Sequence, residues 1–389
     1  MTEEQTQESA KKTIVIATDN FMPRIDGIAR FLNMLIPSLK EFNVIVIAPD
    51  YKGKFEKTED YDIYRVPLHN IMVGDYIPAK NPSKEMLAII DKADLVFTQT
   101  IGPIGSTVIK YAHKKAKTVI AFIHSIEWIL VEKSISPFNL TRTILSRFVM
   151  HFAKNLYNKC DMLIVPSEDV AEIFYTHGIT SRRKVVHLGI DLDYFVPGDK
   201  EKAKAELGYH NDDFVIGYVG RIAREKDLMT LKNAFRKLEG HNKLLLVGSG
   251  IPSLEKELQG KNVTITGTKY DIVKYLQAMD VFVMPSLTET TCLAALEAMA
   301  CELPVISTKV GSLKDYLVSK KNGLFFPKHN ETVLSLQLKY LQENSYKRRS
   351  FGQNGRKTVV KDYNWKGTVS EILKILRLYS KGVKVEENV

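Results

Sequence analysis

Asp280–Pro304, DVFVMPSLTETTCLAALEAMACELP, is the stretch whose reading decides the fold. It opens with Val281-Phe282-Val283-Met284, too short for an independent helix and bounded by Asp280 and Pro285, which predicts a buried strand. A polar turn follows. From Cys292 to Ala300 the residues are strong helix formers, with Thr290 or Thr291 placed to cap the first helical turn. Strand, turn and helix start put Glu289 in the turn and Glu297 in the helix, beyond the strand's carboxyl end, where open α/β sheets bind ligands. The helix N-terminus offers free N–H groups and the positive end of a dipole to an anion.

The same rhythm runs through the rest of the chain. Thr13–Ala17 is a β-branched apolar run typical of a buried parallel strand, followed by the loop TDNFMPRIDG (Thr18–Gly27) and an amphipathic segment, Ile28–Lys40. Further strands are predicted at Val44–Ala48, Tyr64–Val66, Leu95–Thr98, Thr118–Ile123 and Met162–Val165, with helices near Ser106–Lys115 and over Thr141–Asn158. Turn residues around Ile190–Gly198 break the pattern. A second series then begins at Phe214, with strands at Val215–Val219, Lys243–Val247, Val263–Thr266, Val281–Met284 and Val305–Ser307. The alternation predicts an α/β chain of doubly wound parallel sheets. Its expected division is a disordered tail (1–12), a Rossmann-like domain (13–195), a second Rossmann-like domain (196–364) and a C-terminal helix (365–389). Val369, Ile372, Leu373, Ile375 and Leu376 recur at helical spacing in that last segment.

At 389 residues the chain is long enough for two domains of ordinary size. A hydrophobic content of 44% and a charged content of 26% are those of a globular protein. No run of about eighteen apolar residues exists, so no transmembrane helix is predicted, and MTEEQTQESAKK lacks the apolar segment of a secretory signal. Cys160, Cys292 and Cys301 are odd in number and without metal spacing, which points to reduced thiols in a cytoplasm. Asp191 and Asp193 mimic a metal-binding pair but fall in the interdomain segment and read as linker residues, so no metal is expected. The net charge is +10, with 24 Lys/Arg against 23 Asp/Glu in residues 1–195 and 31 against 22 in the remainder. The basic surface lacks an interleaved aromatic platform, which argues against a nucleic-acid partner.

Glu289 and Glu297, followed by Ala298-Met299-Ala300 and the strand Pro304-Val305-Ile306, resemble the E-x7-E motif of the retaining GT-B glycosyltransferases, family four. Gly220-Arg221-Ile222-Ala223-Arg224-Glu225-Lys226, directly after a strand, is similar to that family's G-R-x3-E-K pattern. The resemblance extends from Ile14 to about Tyr379. It implies a GT-B fold whose two domains face across a cleft and whose C-terminal helix returns to the first domain. The implied activity is metal-free transfer of a hexose from a nucleotide diphosphate sugar (UDP-glucose-type or GDP-mannose-type) to a hydroxyl acceptor, with retention and with no cofactor.

By the same resemblance Arg221 and Lys226 clamp the diphosphate, one as a planar fork and the other as a point charge. Gly27 lets backbone approach a phosphate, and His124, in IHSIEW, lies against the donor sugar. Glu289 bonds sugar hydroxyls and Glu297 the ribose. Gly220, Gly248 and Gly250 are close-approach positions, and Gly267 lies near the base. The family often has Gly-Phe-Gly after the first glutamate. Here Thr290-Thr291-Cys292 stands in its place, followed by Leu293, so backbone N–H groups still reach the sugar while added side chains reshape the pocket.

Two other readings stay open: another GT-B reaction such as nucleotide-sugar epimerisation, and a nonenzymatic nucleotide- or nucleic-acid-binding protein. An NAD dehydrogenase is disfavoured, because no G-x-G-x-x-G follows the first strand. The acceptor side is addressed by Lys133–Cys160, which contains Lys133, Arg142, Arg147, Lys154 and Lys159 and no acid. Within it Phe148, Val149, Phe152, Leu156 and Tyr157 are expected to line one helical face. Such a helix docks on an anionic membrane, implying a lipid or lipid-linked acceptor and a position on the inner face of the cell membrane. The alternative is that these residues pack on the sheet and leave a solvated basic face.

Overall fold

The computed structural model describes residues 11–24, 26–53, 60–72, 77–134 and 139–381, with backbone alone at 133–134 and 139–142. Most of the expected N-terminal tail, residues 1–10, lies outside the described residues, and Lys12 already belongs to the first strand.

Two parallel sheets organise the chain. The first contains β1 (Lys12–Ala17), β2 (Phe42–Pro49), β3 (Asp62–Val66), β4 (Leu95–Thr98), β5 (Val119–Phe122), β6 (Met162–Val165) and β7 (Arg183–Val185), in the spatial order β3-β2-β1-β4-β5-β6-β7. The second contains β8 (Phe214–Val219), β9 (Asn242–Val247), β10 (Val263–Ile265), β11 (Val281–Met284), β12 (Val305–Thr308) and β13 (Gly323–Phe326), in the order β10-β9-β8-β11-β12-β13. Strand β4, β5, β8, β11 and β12 residues are all buried, which is why β5, β8 and β11 are continuous apolar runs, while β4 ends in Thr98 and β12 in Ser307-Thr308. Edge strands read differently. β7 is Arg-Lys-Val and β13 is Gly-Leu-Phe-Phe, and neither was expected from sequence; their pairing with β6 and β12 supplies the hydrogen bonds that local propensity does not predict.

Strand order reverses between β1 and β4 in the first sheet and between β8 and β11 in the second, creating a crevice at each carboxyl edge. The helix Gly27–Leu35 follows β1 and begins from Asp26, whose side chain accepts from the N–H groups of Ile28 and Ala29. Asn364 caps the helix Trp365–Ser380 through Gly367 N–H. That helix buries Ile372 and Leu376 among Ile14, Ile16, Phe31 and Leu32 of the first sheet's layer, and Arg377 pairs with Glu41 at 2.8 Å.

The single apolar face expected on the long helix is corrected by the structure. In Asn139–Tyr157, Leu156 and Tyr157 are buried, and Val149 and Phe152 pack part-buried on the same core, whereas Phe148 is 67% exposed. The reason is helical drift. At about 100° per residue, Phe148, Phe152 and Leu156 rotate progressively from the outer side to the inner one. Ile144, Leu145 and Arg147 are exposed with Phe148, while Lys154 and Lys159 are part-buried. The side chains of Lys133 and Arg142 lie outside the described residues.

Candidate active site

The turn after β11 is built by cross-links from its neighbours. Leu287 N–H donates to Glu225 O at 2.7 Å, joining this turn to the one after β8. Tyr316 O–H donates to the carbonyls of Thr291 at 2.8 Å and Cys292 at 3.1 Å. The helix Leu293–Ala300 starts from Cys292, which adopts a left-handed φ of 58° and makes no side-chain cap. The expected capping by Thr290 or Thr291 is therefore corrected. Thr290 Oγ1 instead donates to the carbonyl of His124 in the first domain at 2.6 Å, and Thr291 is buried with its hydroxyl unpaired. Left-handed backbone at a residue with a Cβ costs about 1–3 kcal/mol and is held only where surrounding bonds over-determine it, as Tyr316 does here.

Glu289 accepts hydrogen bonds from Ser286 Oγ and Lys226 Nζ, both at 2.6 Å. Lys226 closes the short turn Arg224–Lys226 after β8. Burial works against its charge, but the Glu289 carboxylate outweighs burial and raises its pKa above the ordinary lysine value. Arg221 is oriented by Glu225 at 2.7 Å, and its carbonyl accepts from Tyr218 O–H. Asp26 at the N-terminus of the first domain's helix is pushed up by burial and feels the charges of Arg24 and Arg221. Two cations and their carboxylates thus gather at the carboxyl ends of β8 and β11, facing a helix N-terminus of the other domain.

Two glycine expectations change character. A Cβ on Gly248 would lie 2.0 Å from Gly220 O, and one on Gly250 would lie 2.0 Å from Ile222 O. The close approach that requires glycine there is chain against chain, since Ile222 bridges Gly250 and Gly248 bridges Gly267. Around Gly27 and Gly267 a Cβ would meet no protein atom within 4 Å. Packing therefore does not demand glycine at either, but the left-handed backbone of Gly267, at φ 69°, does.

His124 lies just past β5, stacked on Phe122 at 4.7 Å and edge-on to Phe31 at 5.0 Å. Its Nε2 is 2.9 Å from Gln99 Oε1, so Nε2 carries the proton and Nδ1 is left as an acceptor. Burial pulls its pKa down to about 3. The ring is a neutral hydrogen-bonding group across the physiological range. Beside it, Trp128 packs on Phe174, and Glu127 accepts from Tyr157 O–H at 2.8 Å with its pKa pushed up by burial to about 7.

The domains meet through ion pairs that sequence reasoning did not single out, although Glu297 itself was among the expected site residues. Arg30, one turn into the helix Gly27–Leu35, pairs with Glu297 of the helix Leu293–Ala300, and Lys314 pairs with Asp169. Gln99 was missed as well, although it obeys the positional rule that exposed His124: a polar residue directly after an apolar strand. Among the described residues no cluster of three metal-ligating side chains occurs. Asp191 Oδ1 accepts from the N–H groups of Asp193 and Tyr194, making it a turn builder, and Asp193 pairs with Lys366.

Two Rossmann-like domains meeting across such a cleft define the GT-B class of glycosyltransferases. A family model described as Glycosyl transferases group 1 matches residues 199–358, and one described as Glycosyltransferase Family 4 matches residues 25–194. D-inositol 3-phosphate glycosyltransferase of Mycobacteroides abscessus is 31% identical over 190 residues, which cover 45% of this chain and 43% of that protein. The chain thus spans less than half the length of that relative. Alpha-monoglucosyldiacylglycerol synthase of Acholeplasma laidlawii is 27% identical over 83% of this chain and 87% of its own. The solved sucrose-phosphate synthase of Thermosynechococcus elongatus superposes with a TM-score of 0.77 at 20% identity, covering 96% of this chain and 100% of that one. The chain belongs to glycosyltransferase family four, the group 1 glycosyltransferases.

Proposed function

We propose that the chain transfers a hexose from a nucleoside diphosphate sugar, of UDP-glucose or GDP-mannose type, to a hydroxyl acceptor with retention of anomeric configuration and without a metal. The observation that carries this reading is the part-buried Lys226–Glu289 pair beside Arg221 at the carboxyl ends of β8 and β11. Breaking the bond between the sugar's C1 and the diphosphate oxygen leaves negative charge on the leaving group, and preoriented cations stabilise that charge as it develops. Arg221 and Lys226 bind the diphosphate, Glu289 and neutral His124 bind sugar hydroxyls, and Glu297 binds the ribose. The acceptor oxygen attacks C1 from the face the diphosphate leaves, and its proton passes to the departing phosphate. The test is incubation with UDP-glucose and GDP-mannose, with and without EDTA, followed by NMR of the anomeric proton. Retention that is indifferent to EDTA is expected; an inverted product, or loss of activity with EDTA, overturns the reading.

The acceptor in this reading is a lipid or a lipid-linked glycan, reached from the inner face of the membrane. Ile144, Leu145 and Phe148 are exposed together on one helix beside exposed Arg147, a pattern suited to an anionic interface, where each basic residue contributes about 1 kcal/mol. The relative from Acholeplasma laidlawii is named for a glucosyldiacylglycerol product. Sedimentation with liposomes is expected to rise with the anionic lipid fraction, fall with salt and weaken in a Phe148→Asp/Arg147→Glu variant. Indifference to all three favours a soluble acceptor.

A further inference from the structure

We propose that Arg30 is a positioning residue for the donor nucleotide: it reaches from the first domain to orient Glu297, so that cleft closure and ribose recognition share one carboxylate. The inference rests on the reading that Glu297 meets the ribose.

Glu297 is 1% exposed. A buried carboxylate without a cation is costly, and the ion partner it has is Arg30 Nη2, from the opposite domain, on Oε1. The other oxygen, Oε2, is buried and makes no hydrogen bond. Both residues line a small, mostly apolar cavity of about 20 Å³, room for a single hydroxyl-sized group, bordered by Phe31, Ile190, Leu293 and Trp365, where the two domains and the C-terminal helix converge. A guanidinium is planar and rigid, so its grip on Oε1 restricts the carboxylate's rotation and leaves Oε2 as the acceptor for a hydroxyl. A ribose diol supplies hydroxyl donors.

On this account Arg30 and the nucleotide do not compete for Glu297; they occupy different oxygens of it. Closing the domains places the guanidinium, which readies the carboxylate, and a bound ribose in turn favours the closed arrangement through reciprocal linkage.

Calorimetric binding of UDP and of GDP is compared with binding of their 2′,3′-dideoxy forms, in wild type, Arg30→Met and Arg30→Lys. Wild type is expected to prefer the ribose form by on the order of 10–100-fold, as for hydrogen bonds to a charged group. Arg30→Met is expected to bring that ratio close to one, and Arg30→Lys, which keeps the charge but not the planar fork, to give an intermediate value. Donor KM rises more than kcat falls in both. A wild type that discriminates alongside either variant with an unchanged ratio overturns the role of Arg30 while leaving Glu297 as the ribose ligand. A wild type that does not discriminate overturns the ribose reading itself and this inference with it. Unfolding of Arg30→Met, judged by circular dichroism, leaves the decision to Arg30→Lys, for which the same two outcomes apply.

Discussion

Lys226→Ala is expected to lower kcat by about 10²–10³, the usual effect of removing one preoriented charge from a site where negative charge develops. The ammonium is poised for this. Its pair with Glu289 keeps it protonated despite burial, and Ser286 holds the same carboxylate oxygen, so little rearrangement is needed when a diphosphate arrives. Removing one partner of this part-buried ion pair also destabilises the fold, by less than the about 3–5 kcal/mol of a fully buried one, so loss of activity alone is ambiguous. The double variant Lys226→Met/Glu289→Gln separates the two effects, because it removes both charges of the pair at once. It is expected to recover most of the melting temperature and none of the turnover. Arg221→Ala is expected to be milder in stability, since Arg221 and Glu225 are an i, i+4 pair with the guanidinium 37% exposed. Wild-type turnover in a folded Lys226→Ala variant would remove this lysine from the chemistry.

How much of this was legible in the chain depends on where each residue's partners lie. β1 and β11 were readable because their burial on both faces writes itself as an apolar run between turn residues. β7 was not, because Arg-Lys-Val at a sheet edge is shaped by pairing with β6 and not by its own pattern. Within the candidate site, Lys226 and Glu289 were found through local patterns on two separate turns, but their contact depends on the parallel pairing of β8 with β11. Arg30 and Gln99 escaped notice for a further reason: Arg30 acquires its meaning only when the domains close on Glu297, and Gln99 only when β4 and β5 lie side by side. Cys292 shows the converse. Propensity favours threonine as a cap, yet the bonds from Tyr316 and the pull of Thr290 toward His124 shift the helix start onto a residue with little capping preference.

Asp280→Ala is expected to destabilise the second domain by about 3–5 kcal/mol, a fall of roughly 6–20 °C in Tm for a domain of this size. At first sight Asp280 merely precedes β11. In the fold its Oδ2 accepts from Val215 N–H at 3.0 Å and from Lys204 Nζ at 2.8 Å, while Oδ1 meets Lys200 at 3.2 Å. Asp280 therefore pins the helix Lys200–Glu206 to the β8/β11 switch point. Lys204 is almost fully buried and also donates to the carbonyls of Asp213 and Asn211, so truncating Asp280 leaves an ammonium with carbonyl partners only and an unpaired strand N–H. Burial alone would push the Asp280 carboxyl up; Lys200 and Lys204 outweigh it and hold the pKa below the ordinary aspartate value. A depressed folded-state pKa gives stability that is present above the unfolded value of about 3.9 and is lost as pH falls through the folded one. Thermal melts between pH 7 and pH 2 should accordingly show a stability loss at the acid end in wild type that is shallower in Asp280→Asn, and a full-chain Asp280→Ala variant melting within about 2 °C of wild type at pH 7, well inside the expected fall, would show that the two lysines do not depend on this carboxylate.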